Sequence, residues 1–284
     1  MGRGGHAMNK FLLMVVLICC CDPLAARELR VCADPNNLPF SNAAGEGFEN
    51  RIMEEIAADL GARVTYTWWA QRRGFARNTL NAGQCDVIAG VASDMGMLGT
   101  TRPYYRSTYV FVTRADRHLA IDSYDDPRLH GLRVGVQLIG DDGANTPPAH
   151  ALARRNIVGN VRGYMVYGDY RDRTPQSAII DAVVRGDIDV AIAWGPTAAY
   201  FASGQPVKLD LVPVSPWLDG PQWPMVFDIS MAVRKDDHAL RRELDRAIDR
   251  RHAAIQAILA QFHIPTVSVD TQSSPAEPMA RTNN

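Results

Sequence analysis

The chain is poor in cysteine, close to neutral overall and, beyond its first two dozen residues, without long apolar runs. Its 284 residues hold 5 cysteines, too few for a disulfide-dense scaffold. The formal net charge is −1, from 30 Lys+Arg against 31 Asp+Glu, and neither sign forms a run. That leaves no electrostatic footprint for nucleic acid or an anionic membrane surface. Gly-x-Ser-x-Gly, His-Glu-x-x-His and a phosphate-cradling Gly/Lys loop are all missing. His118, His130, His150, His238, His252 and His263 are isolated in the chain and read as surface or capping residues. These absences argue against an enzyme, although single carboxylates in a cleft are a possible source of acid or base chemistry. What is present, 46% hydrophobic and 21% charged residues, is the composition of an ordinary globular protein of one large or two modest domains.

Arg3, His6 and Lys10 precede the apolar run from Phe11 to Cys20, which leads through Asp22-Pro23 and Ala25-Ala26 to Arg27-Glu28. This is the order of a secretory signal, read here as residues 1–26 with cleavage after Ala26. Ten residues rise about 15 Å as a helix, half a bilayer, so a permanent span is not expected. Leu17-Ile18-Cys19-Cys20 loosely resembles a lipobox and offers a competing lipoprotein reading. After cleavage only Cys32 and Cys85 remain. An even pair in an oxidising compartment reads as a structural bridge, with two free buried thiols as the alternative.

An internal echo organises the rest. Leu29-Arg30-Val31-Cys32-Ala33 recurs as Leu132-Arg133-Val134-Gly135-Val136, and Gly83-x-x-Asp86-Val87-Ile88-Ala89 recurs as Gly186-x-x-Asp189-Val190-Ala191-Ile192, both displaced by 103 positions. Each copy reads as strand, helix, strand, helix, strand, the alternation of a mostly parallel sheet flanked by helices. Helices are expected from Phe48 to Leu60, from Phe75 to Ala82, around Ala149 to Asn156, and after Pro175; Gly61, Gly83 and Gly186 end three of them. Val207 to Val214 reads as an edge strand, and Leu240, Leu244, Ile248, Ile255, Leu259 and Phe262 mark a C-terminal helical region. Tyr109–Thr113 and Val226–Val233 are the expected passages between lobes. The expected organisation is therefore a first lobe over 27–112, a second over 113–225, a return to the first over 226–265, and a loose tail over 266–284. The loops after Ala33, Trp69, Ala89, Val136 and Trp194, at the carboxyl ends of strands, should line a cleft.

This arrangement resembles the periplasmic type II solute-binding proteins of ABC importers, an α/β fold with two mixed, mostly parallel sheets joined by two hinge strands. The runs Val31-Cys32-Ala33-Asp34-Pro35-Asn36-Asn37-Leu38-Pro39-Phe40-Ser41, Gln71-Arg72-Arg73-Gly74-Phe75 and Thr101-Arg102-Pro103-Tyr104-Tyr105-Arg106-Ser107-Thr108-Tyr109-Val110 narrow the resemblance to the methanol oxidation system protein J family, MxaJ and XoxJ. It covers roughly Arg27 to Pro265. The resemblance implies a non-enzymatic periplasmic protein without a cofactor of its own. It would work beside a pyrroloquinoline-quinone (PQQ) methanol dehydrogenase and its cytochrome c, assisting maturation or activity. J-type companions divide between calcium- and lanthanide-dependent dehydrogenases; the lanthanide form is the expectation, carried by no particular residue, with the calcium form left open.

Amino-acid receptors of this fold usually clamp the ligand carboxylate with a Thr and an Arg after the third strand, because a guanidinium donates two parallel hydrogen bonds. Here Val91 to Thr100 contains no arginine, and Ala193-Trp194-Gly195 stands where a carboxylate for the ammonium group is expected. An α-amino-acid ligand is therefore not expected, and a transport receptor for another small solute is the main rival reading. The cleft candidates are Asp34, Phe40, Trp68, Trp69, Gln71, Arg72, Arg73, Asp94, Arg102, Gln137, Asp141, Asp142 and Trp194. They suit a flat or neutral group, or else they pack the lobes and form ion pairs. Asp141-Asp142-Gly143 with Asp34 lacks the alternating oxygen ligands of a calcium loop and reads as solvated turn carboxylates, so no metal site is assigned. For a partner protein, Trp217, Trp223 and Met225 on a Pro-restricted loop are candidate anchors, against a loop folded back over the hinge. Tyr104 and Tyr105 are read as core.

Overall fold

The computed structural model describes residues 1–2, 27–93, 95–139, 145–167 and 169–268. Residues 3–26, where a secretory signal is expected, Asp94, Asp141, Asp142 and residues 269–284 lie outside the described residues. The strands are β1 Arg27–Ala33, β2 Asn36–Asn37, β3 Ser41–Asn42, β4 Ala62–Trp68, β5 Val87–Ala92, β6 Gly99–Thr100, β7 Tyr105–Arg114, β8 Val134–Leu138, β9 Val161–Met165, β10 Val190–Trp194, β11 Leu209–Pro213, β12 Leu218–Asp219, β13 Trp223–Pro224 and β14 Val226–Val233. The helices are α1 Phe48–Asp59, α2 Phe75–Asn78, α3 Pro147–Arg154, α4 Ala178–Arg185, α5 Gly195–Ser203, α6 His238–Arg250 and α7 His252–Gln261. Among the described residues, no helix is long and apolar enough to cross a membrane.

The main strands run in the order β4-β1-β5-β14-β7-β10-β8-β9. At one end β1 pairs in parallel with β4 and β5, and at the other β8 pairs in parallel with β10 and β9. Strand β7 links these two halves: Tyr105–Thr108 pair with β14, whereas Tyr109–Thr113 pair with β10. Phe48, Ile52, Met53, Ile56 and Ala57 bury one stripe of α1 against β1, β5, α6 and α7 in the first lobe. The second lobe buries Ile179, Ile180 and Val183 of α4 beside Val112, Ala191 and Ala193.

The internal echo has a physical counterpart. Arg30 donates through Nε and Nη2 to Asp86 at 2.8 and 2.7 Å, and Arg133 donates in the same way to Asp189 at 3.0 and 2.8 Å. In both lobes a guanidinium on β1 or immediately before β8 thus grips the carboxylate immediately before β5 or β10, three residues after a glycine with positive φ, Gly83 or Gly186. The arginine hydrogen bonds are the first cause holding both carboxyls below the usual range.

Three elements differ from expectation. Helix α5 occupies Gly195 to Ser203, where no helix is expected, because Pro196, Thr197, Ala198 and Phe201 are all buried and leave no polar face to betray a period. The C-terminal helical region breaks at Arg251 into α6 and α7; Arg250 and Arg251 both reach Asp59 there. The helix expected from Phe75 to Ala82 is one turn, Phe75–Asn78.

Candidate site at the lobe interface

Asp34 directly follows β1 and is 3% exposed. Its Oδ1 accepts the Asn36 N–H at 2.8 Å, and its Oδ2 accepts the Gln71 N–H at 2.7 Å. One buried carboxylate therefore ties together the loops leaving β1 and β4 through backbone donors. From the second lobe, the Tyr170 hydroxyl donates to the same Oδ2 at 2.6 Å. Burial, and after it this hydrogen bond, push the Tyr170 phenol above its usual range. The Arg72 guanidinium lies 5.4 Å from the Tyr170 ring centroid.

Neighbouring contacts continue the bridge. Asn36 Nδ2 donates to the Asp172 carbonyl at 2.8 Å, and Gln176 Nε2 donates to the Asn36 carbonyl at 2.7 Å. Asn37 Nδ2 donates to Gln71 Oε1 at 3.0 Å, and Arg173 pairs with Glu46 at 3.7 Å. Tyr170, Gln176, Asn36 and Asn37 are not among the residues expected from sequence. The one signal for Tyr170 was an aromatic side chain in an otherwise charged stretch, Asp169 to Arg173.

Of the expected cleft residues, Asp34, Gln71 and Arg72 meet here. Trp69 donates its N–H to the Ala33 carbonyl and leaves its ring 48% exposed at the rim, where Arg73 is also exposed. Trp68 instead stacks on Tyr66 at 4.5 Å, and Phe40 packs against Phe48. Trp194 joins Tyr109 and Phe227 in an aromatic cluster on the paired strands β10, β7 and β14, and its backbone N–H donates to Gln137 Oε1 at 2.8 Å. Arg102 is a correction: its N–H donates to Asp245 and its guanidinium to Asp249 on α6, which holds it on the helical face of the first lobe. Asp94, Asp141 and Asp142 lie outside the described residues.

Among the partner-contact candidates, Met225 is also a correction. It is fully buried, with Tyr124 donating its hydroxyl to Sδ at 3.5 Å, so it is core. Trp223 is partly covered by His150, stacked at 3.7 Å between ring centroids, and Trp217 is half-buried. The hairpin of β12 and β13 is clamped onto α3 by Arg155 and Asp219 at 3.0 Å, leaving Leu218 as its outward apolar group at 56% exposure. Among the described residues, no group of three or more His, Cys, Asp and Glu is placed to hold a metal ion.

Residues 29–263 match the model of the bacterial extracellular solute-binding proteins, family 3. The chain belongs to that family. Protein MoxJ of Methylorubrum extorquens is 34% identical over 256 residues, 86% of this chain and 83% of that protein. The crystal structure of the periplasmic binding protein XoxJ from Methylobacterium extorquens AM1 superposes with a TM-score of 0.69 at 36% identity, covering 84% of this chain and 99% of that one. MxaJ from Methlophaga aminisulfidivorans gives a TM-score of 0.71 at 27% identity, covering 84% and 100%. Within the solute-binding family the chain thus groups with the J-type proteins, and its fold is the type II binding-protein fold.

Proposed function

We propose that the protein is a periplasmic accessory factor for a PQQ-dependent methanol dehydrogenase of the lanthanide type, acting by protein–protein contact in the maturation or activity of that enzyme. The observation that carries this reading is the likeness to MoxJ, XoxJ and MxaJ along more than four-fifths of the chain. The lobe interface supports an accessory role over solute delivery, because Asp34 spends its oxygens on Asn36, Gln71 and Tyr170 of its own chain. Arginine is missing from Val91 to Thr100, so a carboxylate clamp is missing as well.

Calorimetry of the mature protein against the common amino acids tests the choice between the two readings. The accessory reading expects no saturable heat at micromolar concentrations. Saturable heat from any of them returns the protein to the transport receptors.

A further inference from the structure

We propose that residues 170–176 are a latch in which Tyr170 is the chain's own ligand for Asp34, so that the lobes close on each other and an incoming group must displace Tyr170 to reach the cleft. This goes beyond the accessory role and does not depend on which partner the protein serves. The cross-lobe contacts from this segment converge on one short stretch of the first lobe: Tyr170 on Asp34, Asp172 and Gln176 on Asn36, and Arg173 on Glu46. They are polar, and each exchanges for hydrogen bonds with water on opening, so the contact is reversible in a way that an apolar seam is not.

Two details fit a latch better than a permanent joint. When Tyr170 leaves, Asp34 keeps the Asn36 and Gln71 N–H donors, so opening strands no buried charge. When the segment is closed, Gln176 Oε1 is buried without a hydrogen-bond partner, a cost that opening relieves. Tyr170 itself stays 39% exposed while latched, and so gives up little apolar burial on release.

Small-angle scattering of the mature chain tests this with Tyr170→Phe alone and with Tyr170→Phe combined with Gln176→Ala. Tyr164→Phe is the control, because its hydroxyl is buried and unpartnered away from the contact. The single variant keeps the ring and removes one oxygen, so it folds even if the double variant does not. A compact chain of this size has a radius of gyration of about 18 Å. The latch variants are expected to exceed wild type by on the order of 1 Å as the lobes part, with the control unchanged. Superimposable curves for wild type and Tyr170→Phe overturn the proposal.

Discussion

Replacing both Cys32 and Cys85 by alanine is expected to lower the melting temperature by about 8–16 °C and to leave the fold intact at low temperature. The two cysteines form a disulfide 53 residues apart in sequence. It joins the end of β1 to the residue before Asp86, in a pocket with Phe75, Leu80, Ile88 and Leu98. Closing a loop of that length in the unfolded chain is worth about 4 kcal/mol in the chain-entropy account. Each degree estimate follows from about 2–4 °C per kcal/mol for a domain of this size. The bridge carries most of the expected change, because alanine in place of two small buried sulfur atoms opens little cavity. Thiol titration of the unfolded, unreduced mature chain checks the premise, with none expected. Two reactive thiols would contradict it.

The second large effect is a pH dependence set by Glu49. This residue opens α1, and its carboxyl lies so close to Gly90 that a β-carbon there would fall 2.0 Å from Oε1. The residue as a whole is half-buried, but its carboxyl is enclosed on the side where Tyr66, Tyr104 and Tyr105 stand, and that enclosure pushes it up to about 8. The folded chain therefore holds a proton between about 4.5 and about 8 that the unfolded chain has lost. Stability from this group is full below about 4.5 and declines as pH rises through about 8. Glu49→Gln keeps the shape and removes the titration. The variant should melt at least about 5 °C above wild type at pH 8.5 and within about 1 °C of it at pH 4.5. Melting curves that stay parallel across that range would contradict the assignment.

How much of this was legible follows from what each residue pairs with. The 103-residue echo is visible because a strand opening and a glycine-to-aspartate spacing recur together, and the paired Arg30–Asp86 and Arg133–Asp189 contacts show the reason. Asp34 was legible as a polar group at a strand end. Tyr170 was not, because its partner is 136 residues away and its own stretch looks like a solvated turn. From sequence, Trp194 reads as a cleft residue or as lobe packing, and Met225 as a partner anchor or part of a loop folded over the hinge; the contacts that decide between these, Trp194 with Tyr109 and Phe227 and Met225 within the second lobe's core, come from strands distant in sequence. Helix α5 was missed because its sequence, Gly195 to Ser203, is nearly all apolar or small and carries no polar stripe by which a helix is recognised.

The most direct test of the account is affinity capture of the tagged mature protein from the periplasm of its methanol-grown host, with retained proteins identified by mass spectrometry. The account predicts recovery of a quinoprotein dehydrogenase or its cytochrome c. If the hairpin bearing Trp217 and Trp223 is the contact, Trp217→Ala with Trp223→Ala reduces that recovery while the melting temperature holds. Repeated crosslinked captures that retain neither protein would contradict it.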